Sequence, residues 1–287
     1  MKRLFATGLM TLCFWTMTSA VAVAQRSEVG VLAGVAFYLG DINPKGLFSQ
    51  TRWAGGLYYR YNINTRWAFR LGVTYGRIQA DDKHFDNPRN LNFRNDLFDV
   101  GATMEVNFLN FFIGSERQYK FTPYLTAGVA VCFHNPKGYY FNPSNDRTEW
   151  MALHPLHTEG QGLDNGPKNY SLTQFAIPFG IGFRYSISQR VAIGVEWTMR
   201  LTFTDYLDDV GGVYYAQNRI FSEYGPDAAY FADPTADHAT GAQRGDKNTF
   251  DWYSFAGVTV SIKLGRERNE CPAYSTSAID RYKRKNL

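Results

Sequence analysis

The chain has 287 residues, of which 45% are hydrophobic and 20% charged, and its formal net charge is +4. The mean hydropathy of -0.33 excludes a protein built of membrane-spanning helices, because only residues 4–24 approach the roughly 18 apolar residues that one such helix needs. Disorder is excluded as well, since 22 Phe, 19 Tyr and 6 Trp are more aromatic surface than a solvated chain carries.

The first 24 residues have the pattern of an export signal. Lys2 and Arg3 precede an apolar stretch, and Ala22-Val23-Ala24 ends it with the small residues that a signal peptidase cleaves after. We therefore predict a signal peptide over residues 1–24 and a mature chain that begins near Gln25.

After the signal, apolar residues recur at every second position. The clearest segment, 191–203, has large apolar side chains at its odd positions and polar or small ones at its even positions, as a strand with one apolar face does. Seven further segments share this alternation, some less strictly: 29–39, 53–63, 67–75, 98–108, 121–133, 175–185 and 252–264. Each is near the roughly 9 to 11 residues that cross a bilayer as a tilted strand. The prediction is an all-β, eight-stranded antiparallel barrel over residues 25–265.

The connections between these segments alternate in length. Residues 62–65 and 186–189 form short turns, and the connection around 114–120 is a modest one. The other four connections are long and polar: about 40–52, 79–96, 134–171 and 204–250. Short turns on one side and long loops on the other are typical of outer-membrane barrels, so we place both termini in the periplasm and the long loops outside the cell.

A soluble barrel such as a lipocalin would show the same alternation with its apolar face turned inward. Two features favour the membrane: the less apolar face is rich in Gly and Ala, which suit a crowded lumen, and the apolar face carries aromatics near the segment ends. These aromatics are Trp53, Tyr61, Trp67, Tyr75, Tyr185, Phe203 and Trp252. Aromatic girdles of this kind border a lipid-facing band. The predicted location is the outer membrane, with its lipid as a partner.

Alternation also places charges of both signs inside the barrel. The predicted lumen charges are Arg60, Arg70, Asp99, Glu105, Arg184, Glu196, Arg200 and Lys263. Buried ions must pair, and eight strands leave an interior just wide enough for side chains to fill. The charges therefore form a salt-bridged plug or, alternatively, line a narrow gated pathway or an active site that uses Glu105 and Glu196.

The sequence offers no set of groups for catalysis. No nucleophile stands beside a base, no Gly-rich phosphate loop is present, and all five His fall in predicted loops. His154-Pro155-Leu156-His157 has a spacing that could hold a metal, but Pro155 and the lack of nearby Cys weaken it. We predict no enzyme activity, no cofactor and no metal.

The two cysteines of the mature chain are predicted to stay unpaired with each other. Cys132 falls on the lumen face near the outer end of its strand, whereas Cys271 follows the last strand on the periplasmic side. The height of the barrel separates them by far more than the roughly 7 Å that a disulfide tolerates between Cα atoms.

The long loops are rich in aromatic residues. These residues are Tyr139, Tyr140, Phe141, Trp150, Tyr214, Tyr215, Tyr224, Tyr230 and Phe231. Rigid aromatics in polar loops bind partners at low entropic cost, or they pack on one another as a compact cap. The sequence leaves both interpretations open.

Residues 266–287 lack apolar periodicity and carry an excess of basic side chains. We predict a periplasmic tail that acts as a docking strap or is simply a loose chain end. Two positive charges belong to the signal and a net three to the tail, which leaves the barrel near -1. The positive balance therefore gives no reason to expect a nucleic-acid partner.

Four motifs of the chain are distinctive: residues 28–34, Tyr38-Leu39-Gly40-Asp41-Ile42-Asn43-Pro44, residues 53–61 and Glu270-Cys271-Pro272-Ala273-Tyr274. They resemble the PorG family, the outer-membrane component of the type IX secretion system of Bacteroidota. The resemblance implies a barrel that associates in the periplasm with the PorK and PorN ring, with Cys271, Pro272, Ala273 and Tyr274 at the contact. The alternative is a small pore or a surface-binding, adhesin-like barrel.

Overall fold

The computed structural model describes residues 26–44, 46–85, 88–115, 118–142 and 147–265. The predicted signal peptide and periplasmic tail lie outside the described residues. So do Cys271, Pro272, Ala273 and Tyr274, the predicted contact with a secretion ring.

Eight long antiparallel strands close into a barrel, as predicted. They are β1 (Ser27–Leu39), β2 (Arg52–Asn62), β3 (Trp67–Asp81), β4 (Asn92–Asn107), β5 (Phe121–Phe133), β8 (Thr173–Ser186), β9 (Val191–Thr202) and β10 (Trp252–Lys263). Each strand pairs with its neighbour along the chain, and β1 pairs with β10 from Glu28↔Lys263 to Leu39↔Trp252. The β1–β10 pairing is the closing seam of the barrel.

The strand faces follow the predicted parity over the lower part of the barrel, where large apolar residues point outward and charged or small ones inward. Above Tyr75 the two faces exchange character. Arg77 points outward and its Nε donates to Asp96 Oδ1 at 2.6 Å, whereas Ile78 and Leu97 are fully buried inside. Both strands continue through this exchange, so the predicted loop 79–96 is too long and the connection spans only residues 82–91.

The long loops fold into secondary structure of their own above the barrel. A hairpin of β6 (Pro136–Asn142) and β7 (Arg147–Ala152) packs beside the helices α1 (Gln217–Tyr224) and α2 (Pro226–Ala232). Neither described helix has the length and apolar character to cross a bilayer. We call the described parts of residues 134–172 and 203–251 the cap.

Aromatic side chains hold the cap together. The ring of Tyr140 lies 5.8 Å from that of Phe231 and 5.9 Å from that of Tyr230, and the rings of Tyr139 and Trp150 are 5.2 Å apart. The cap shares one apolar core with the upper barrel; its buried members include Ile42, Ile78, Phe93, Leu97, Leu153, Leu207, Val210, Phe231 and Phe255. These loop aromatics therefore form a compact cap.

On the periplasmic side the connection between β4 and β5 is more than a turn. Phe111 and Ile113 are buried with Ala192 at the lower mouth of the lumen. Gly114 has φ +76, and a Cβ there would lie 2.2 Å from the carbonyl oxygen of Gln189, so the approach requires glycine. We call residues 108–115 the periplasmic plug.

Candidate functional site: the lumen, its two mouths and the outer wall

The lower lumen is filled by a set of ion pairs that centres on Arg60. The Arg60 side chain is fully buried; its Nη1 lies 3.0 Å from Glu28 Oε2 and its Nε lies 2.8 Å from Glu105 Oε2. These residues meet because β1, β2, β3 and β4 are adjacent in the sheet and because all three side chains occupy inward positions of their strands.

Two more arginines complete this set. Arg184 reaches across the lumen to Glu28 Oε2 at 3.7 Å and to Glu105 Oε2 at 3.4 Å. Arg70 pairs with Glu105 Oε1 at 3.5 Å and also with Glu196. We call Glu28, Arg60, Arg70, Glu105, Arg184 and Glu196 the charge belt. It contains three positive and three negative groups, so each buried ion has an opposite partner, as low-dielectric burial demands.

A second, smaller pair lies above the belt. Arg200 Nε is 3.5 Å from Asp99 Oδ2, and the hydroxyl of Tyr253 donates to the same oxygen at 2.7 Å. A cavity of about 30 Å³ between the two levels is lined by Thr74, Thr126 and neighbouring side chains, which is room for one or two water molecules.

The structure thus brings seven of the eight predicted lumen charges into two groups. Lys263 lies instead at the periplasmic rim, where its Nζ donates to the carbonyl of Ile113 at 3.3 Å. Three inward residues that contact these charges lie outside the prediction. Glu28 falls one residue before the predicted start of its strand, and Tyr58 and Tyr124 are aromatic, a residue type that the prediction places on the lipid face.

Tyr58 and Tyr124 contact residues of the charge belt inside the lumen. The Tyr58 ring centroid lies 4.0 Å from the guanidinium carbon of Arg70 and 5.0 Å from that of Arg60, a cation–π arrangement. The hydroxyl of Tyr124 donates to Glu196 Oε2 at 2.6 Å. Strict parity would have identified both, because each occupies an even, inward position.

At the upper mouth, carboxylates gather around one phenol. The Tyr38 hydroxyl contacts Asp208 Oδ2 at 2.5 Å and Asp251 Oδ1 at 2.7 Å. A hydroxyl has one proton to donate, so one of these two contacts needs a proton on the carboxyl group itself. We call Asp41, Asp205, Asp208 and Asp251 the acid pocket.

Asp205 is the most unusual member of the acid pocket. Both of its carboxylate oxygens are buried without a hydrogen-bond partner among the described residues. Burial, together with the carboxylates of Asp41 and Asp208, raises the pKa of Asp205 to about 9. Burial and the Asp251 carboxylate likewise raise the pKa of Asp208 well above its ordinary value. Protonated carboxyl groups therefore belong to the folded cap at neutral pH.

The remaining candidates of the sequence analysis have structural contacts. His154 Nε2 lies 3.0 Å from the carbonyl oxygen of Tyr170, and the His157 ring lies 4.6 Å from that of Tyr224. Cys132 is buried as a free thiol in the upper core. In the part of the chain that the structure describes, no three His, Cys, Asp or Glu side chains are arranged to hold a metal ion.

The outer wall of the barrel is a continuous apolar surface. Large exposed side chains cover it on every strand, among them Val31, Leu57, Leu71, Val100, Leu125, Val129, Ile181, Val195 and Val258. Trp53 near the outer end of β2 and Trp67 at the inner end of β3 are 57% and 46% exposed. A monomeric soluble protein rarely exposes an apolar surface of this extent.

A closed antiparallel barrel with an apolar outer wall, aromatic ends and a charged lumen is a transmembrane β-barrel of the outer-membrane class. The location predicted from the sequence agrees with this class. The chain belongs to the family described as "Domain of unknown function (DUF6089)", whose profile matches residues 4–153. No curated protein matches the chain in sequence.

Several solved barrels are similar in outline. Neisserial surface protein A (NspA) is 12% identical with a TM-score of 0.39, over 83% of this chain and 96% of that one. Ail of Yersinia pestis and OprG of Pseudomonas aeruginosa are each 10% identical with a TM-score of 0.38, over 82% and 83% of this chain and 96% of theirs. The strand pairing and the apolar outer wall described above establish the fold of this chain.

Proposed function

We propose that this barrel is a non-enzymatic outer-membrane component of the type IX protein secretion machinery and that it docks to a periplasmic PorK/PorN-like ring. The observation that carries the proposal is a lumen obstructed at three levels. The periplasmic plug fills the lower mouth, the charge belt crosses the middle, and the cap covers the upper mouth. A barrel obstructed in this way works through its surfaces.

The charge belt is a costly obstruction to remove. A solute that passed through the lumen would have to separate Arg60 from Glu28 and Glu105, all of which are almost completely buried. Leaving such ions unpaired costs several kcal/mol each. The belt therefore supports a scaffold rather than a pore.

The second PorG-like motif, residues 38–44, contributes to the closure of the upper mouth. Asn43 Nδ2 donates to the carbonyl of Tyr38 at 2.7 Å, and both carboxylate oxygens of Asp41 accept from the backbone N–H of Asp246 at 3.0 to 3.1 Å. The polar side chains of Asp41 and Asn43 are thus hydrogen-bonded within the fold. Under the proposal, docking falls to the periplasmic side, which includes the tail with Cys271, Pro272, Ala273 and Tyr274.

The periplasmic rim has the charge expected of a docking surface. Among the described residues, its exposed charged side chains are Arg26, Arg66, Lys120 and Arg190, and the described residues of its three connections include no acidic side chain. The tail, which follows the last strand in the sequence, carries a further net positive charge. An acidic partner surface would be attracted to it over a Debye length of about 8 Å at physiological ionic strength.

Affinity purification of the tagged barrel from native membranes tests the docking. We expect ring homologues to be recovered with the wild type and lost from a Lys120→Glu/Arg190→Glu variant and from a chain that ends at residue 265. Arg219→Glu, an exposed arginine of α1 on the opposite side of the membrane, is the matched control and retains the ring. Recovery of the wild-type barrel alone, under conditions in which the ring stays intact, would refute the assembly role.

Conductance in planar bilayers tests the obstructed lumen independently. We expect no steady open channel from the purified barrel. A steady conductance would instead support the pore, and loss of binding to host surfaces on removal of cap residues would support the adhesin.

A further inference from the structure

The loop between β1 and β2 folds back over the outside of the barrel. The ring of Phe48 lies 4.6 Å from that of Phe37 and 5.6 Å from that of Trp197. Phe37 belongs to β1 and Trp197 to β9, and β10 runs between these two strands. Phe48 therefore crosses the closing seam on its outer face.

This crossing covers a polar group that would otherwise face lipid. Ser254 lies on the outer face of β10, yet it is 0% exposed. Its hydroxyl accepts a hydrogen bond from Trp197 Nε1 at 2.9 Å and donates to the carbonyl of Thr198 at 3.0 Å. The loop thus helps to shield the hydroxyl of Ser254 from the lipid around the barrel.

The rest of the loop tip remains apolar and uncovered. Leu47 is 55% exposed and Phe48 49% exposed. The tip lies close to the level of the outer aromatic girdle. Phe48 contacts Phe37, which lies two residues beyond Val35 in β1, and Val35 pairs with the girdle residue Trp53 in β2. Its apolar surface continues that of the outer wall.

The backbone of the tip is held in an unfavourable conformation. Phe48 has φ +58 and Gln50 has φ +49, a left-handed region that bulky side chains rarely adopt. Such conformations persist where surrounding contacts require them, and they mark functional positions. Here the conformation accompanies the contacts of the Phe48 ring with Phe37 and Trp197 on the wall, while Leu47 remains exposed.

We propose that Leu47 and Phe48 insert among the lipid acyl chains of the outer leaflet and hold the loop against the closing seam. The occupant of this surface is lipid because the tip is continuous with the lipid-facing wall and lies at the level of its girdle. A second copy of the chain is the weaker choice, since two side chains supply far less than the roughly 800 Å² per partner of a stable interface.

Site-specific fluorescence in lipid vesicles tests this insertion. Leu47→Cys is labelled with the environment-sensitive dye NBD in a Cys271→Ser background, where Cys132 is fully buried and does not react. Leu57→Cys, in the middle of the wall, and Val213→Cys, in the cap, are matched controls because the native side chains are 67% and 51% exposed. Vesicles carry doxyl groups at carbon 5 or carbon 12 of the acyl chain, and iodide probes access from water.

We expect the dye at residue 47 to be quenched more strongly by the doxyl group at carbon 5 than at carbon 12, and to be protected from iodide. At residue 57 the order of the two doxyl positions reverses, and at residue 213 only iodide quenches. A dye at residue 47 that behaves like that at 213 would overturn the proposal. So would protection from iodide that disappears on dilution of the protein in excess lipid, because that result identifies a second copy as the occupant.

Discussion

Replacing Arg60 by methionine is the most direct perturbation of the charge belt. The side chain is 0% exposed and pairs with Glu28 at 3.0 Å and with Glu105 at 2.8 Å. Methionine fills much of the same volume but carries no charge, so the carboxylates of Glu28 and Glu105 each lose a positive partner. Removal of one partner from a buried ion pair costs about 3–5 kcal/mol.

The geometry places Arg60→Met at the lower end of that range. Arg184 already lies 3.7 Å from Glu28 and 3.4 Å from Glu105, so both carboxylates keep a second positive neighbour. We therefore expect the free energy of unfolding to fall by about 3 kcal/mol. The double variant Arg60→Met/Glu28→Met removes one charge of each sign, and it should recover most of this loss.

Reversible urea unfolding in lipid vesicles, followed by tryptophan fluorescence, measures these differences. Arg77→Met is the matched control, because Arg77 pairs with Asp96 at 2.6 Å but the two side chains are 29% and 26% exposed. Partly exposed pairs of this kind contribute about 0–1 kcal/mol. A cost for Arg60→Met no greater than that for Arg77→Met, or a double variant less stable than the single one, would contradict a stabilising role for the buried ion pairs.

Three further perturbations examine the wall, the seam and the cap. Leu57→Arg at the middle of the wall should cost about 2–4 kcal/mol in vesicles, whereas Val213→Arg in the cap should cost almost nothing; equal values by urea unfolding would contradict a lipid-facing wall. Gly34→Ala should prevent barrel closure, seen as loss of the heat-modifiable band on gels, because its Cβ would lie 2.0 Å from a backbone oxygen of β10, while Gly55→Ala, whose nearest atom is 3.6 Å away, should fold normally. The cap should loosen as pH rises, because the pKa of Asp205 is raised from 3.8 to about 9 and the folded cap then holds a proton that the unfolded chain releases. Hydrogen exchange of the cap amides between pH 4 and 9 measures this loss of stability. If the stability of the cap depends on pH as steeply in Asp205→Asn as in the wild type, groups other than Asp205 cause the dependence.

The barrel was predictable because its physics is local. Period-two alternation fixes which residues share a face, and a lipid-facing wall applies the same rule to every strand. The predicted segments therefore agree with the observed strands to within about two residues, except where β3 and β4 rise above the membrane. There the outward residues become polar and the inward ones apolar. A pattern with one apolar face does not extend into this region, so it predicts shorter strands than those observed.

The sequence offered a compact cap only as one of two alternatives, and the elements of the cap and the periplasmic plug were not predictable because their stability is tertiary. The segments of β6, β7, α1 and α2 are short and have no sustained period. Phe111 and Ile113 lie in a short connection that sequence alone describes as a turn, and only the lumen above them gives a reason for their burial. The acid pocket joins Asp41, which follows β1, with residues more than 160 positions later in the chain, a proximity that no local pattern encodes.

The exchange of polarity along β3 and β4 also sets how deep the barrel sits in the bilayer. Tyr75 and Arg77 are consecutive outward residues, so they lie two positions apart, or about 6.8 Å along the strand. Sliding the barrel inward by about this distance would draw Arg77 and Asp96 into hydrocarbon, and sliding it outward would lift Tyr75 and Phe98 into water. Both displacements are unfavourable, so the outward residues of β3 and β4 fix the vertical position of the barrel in the bilayer.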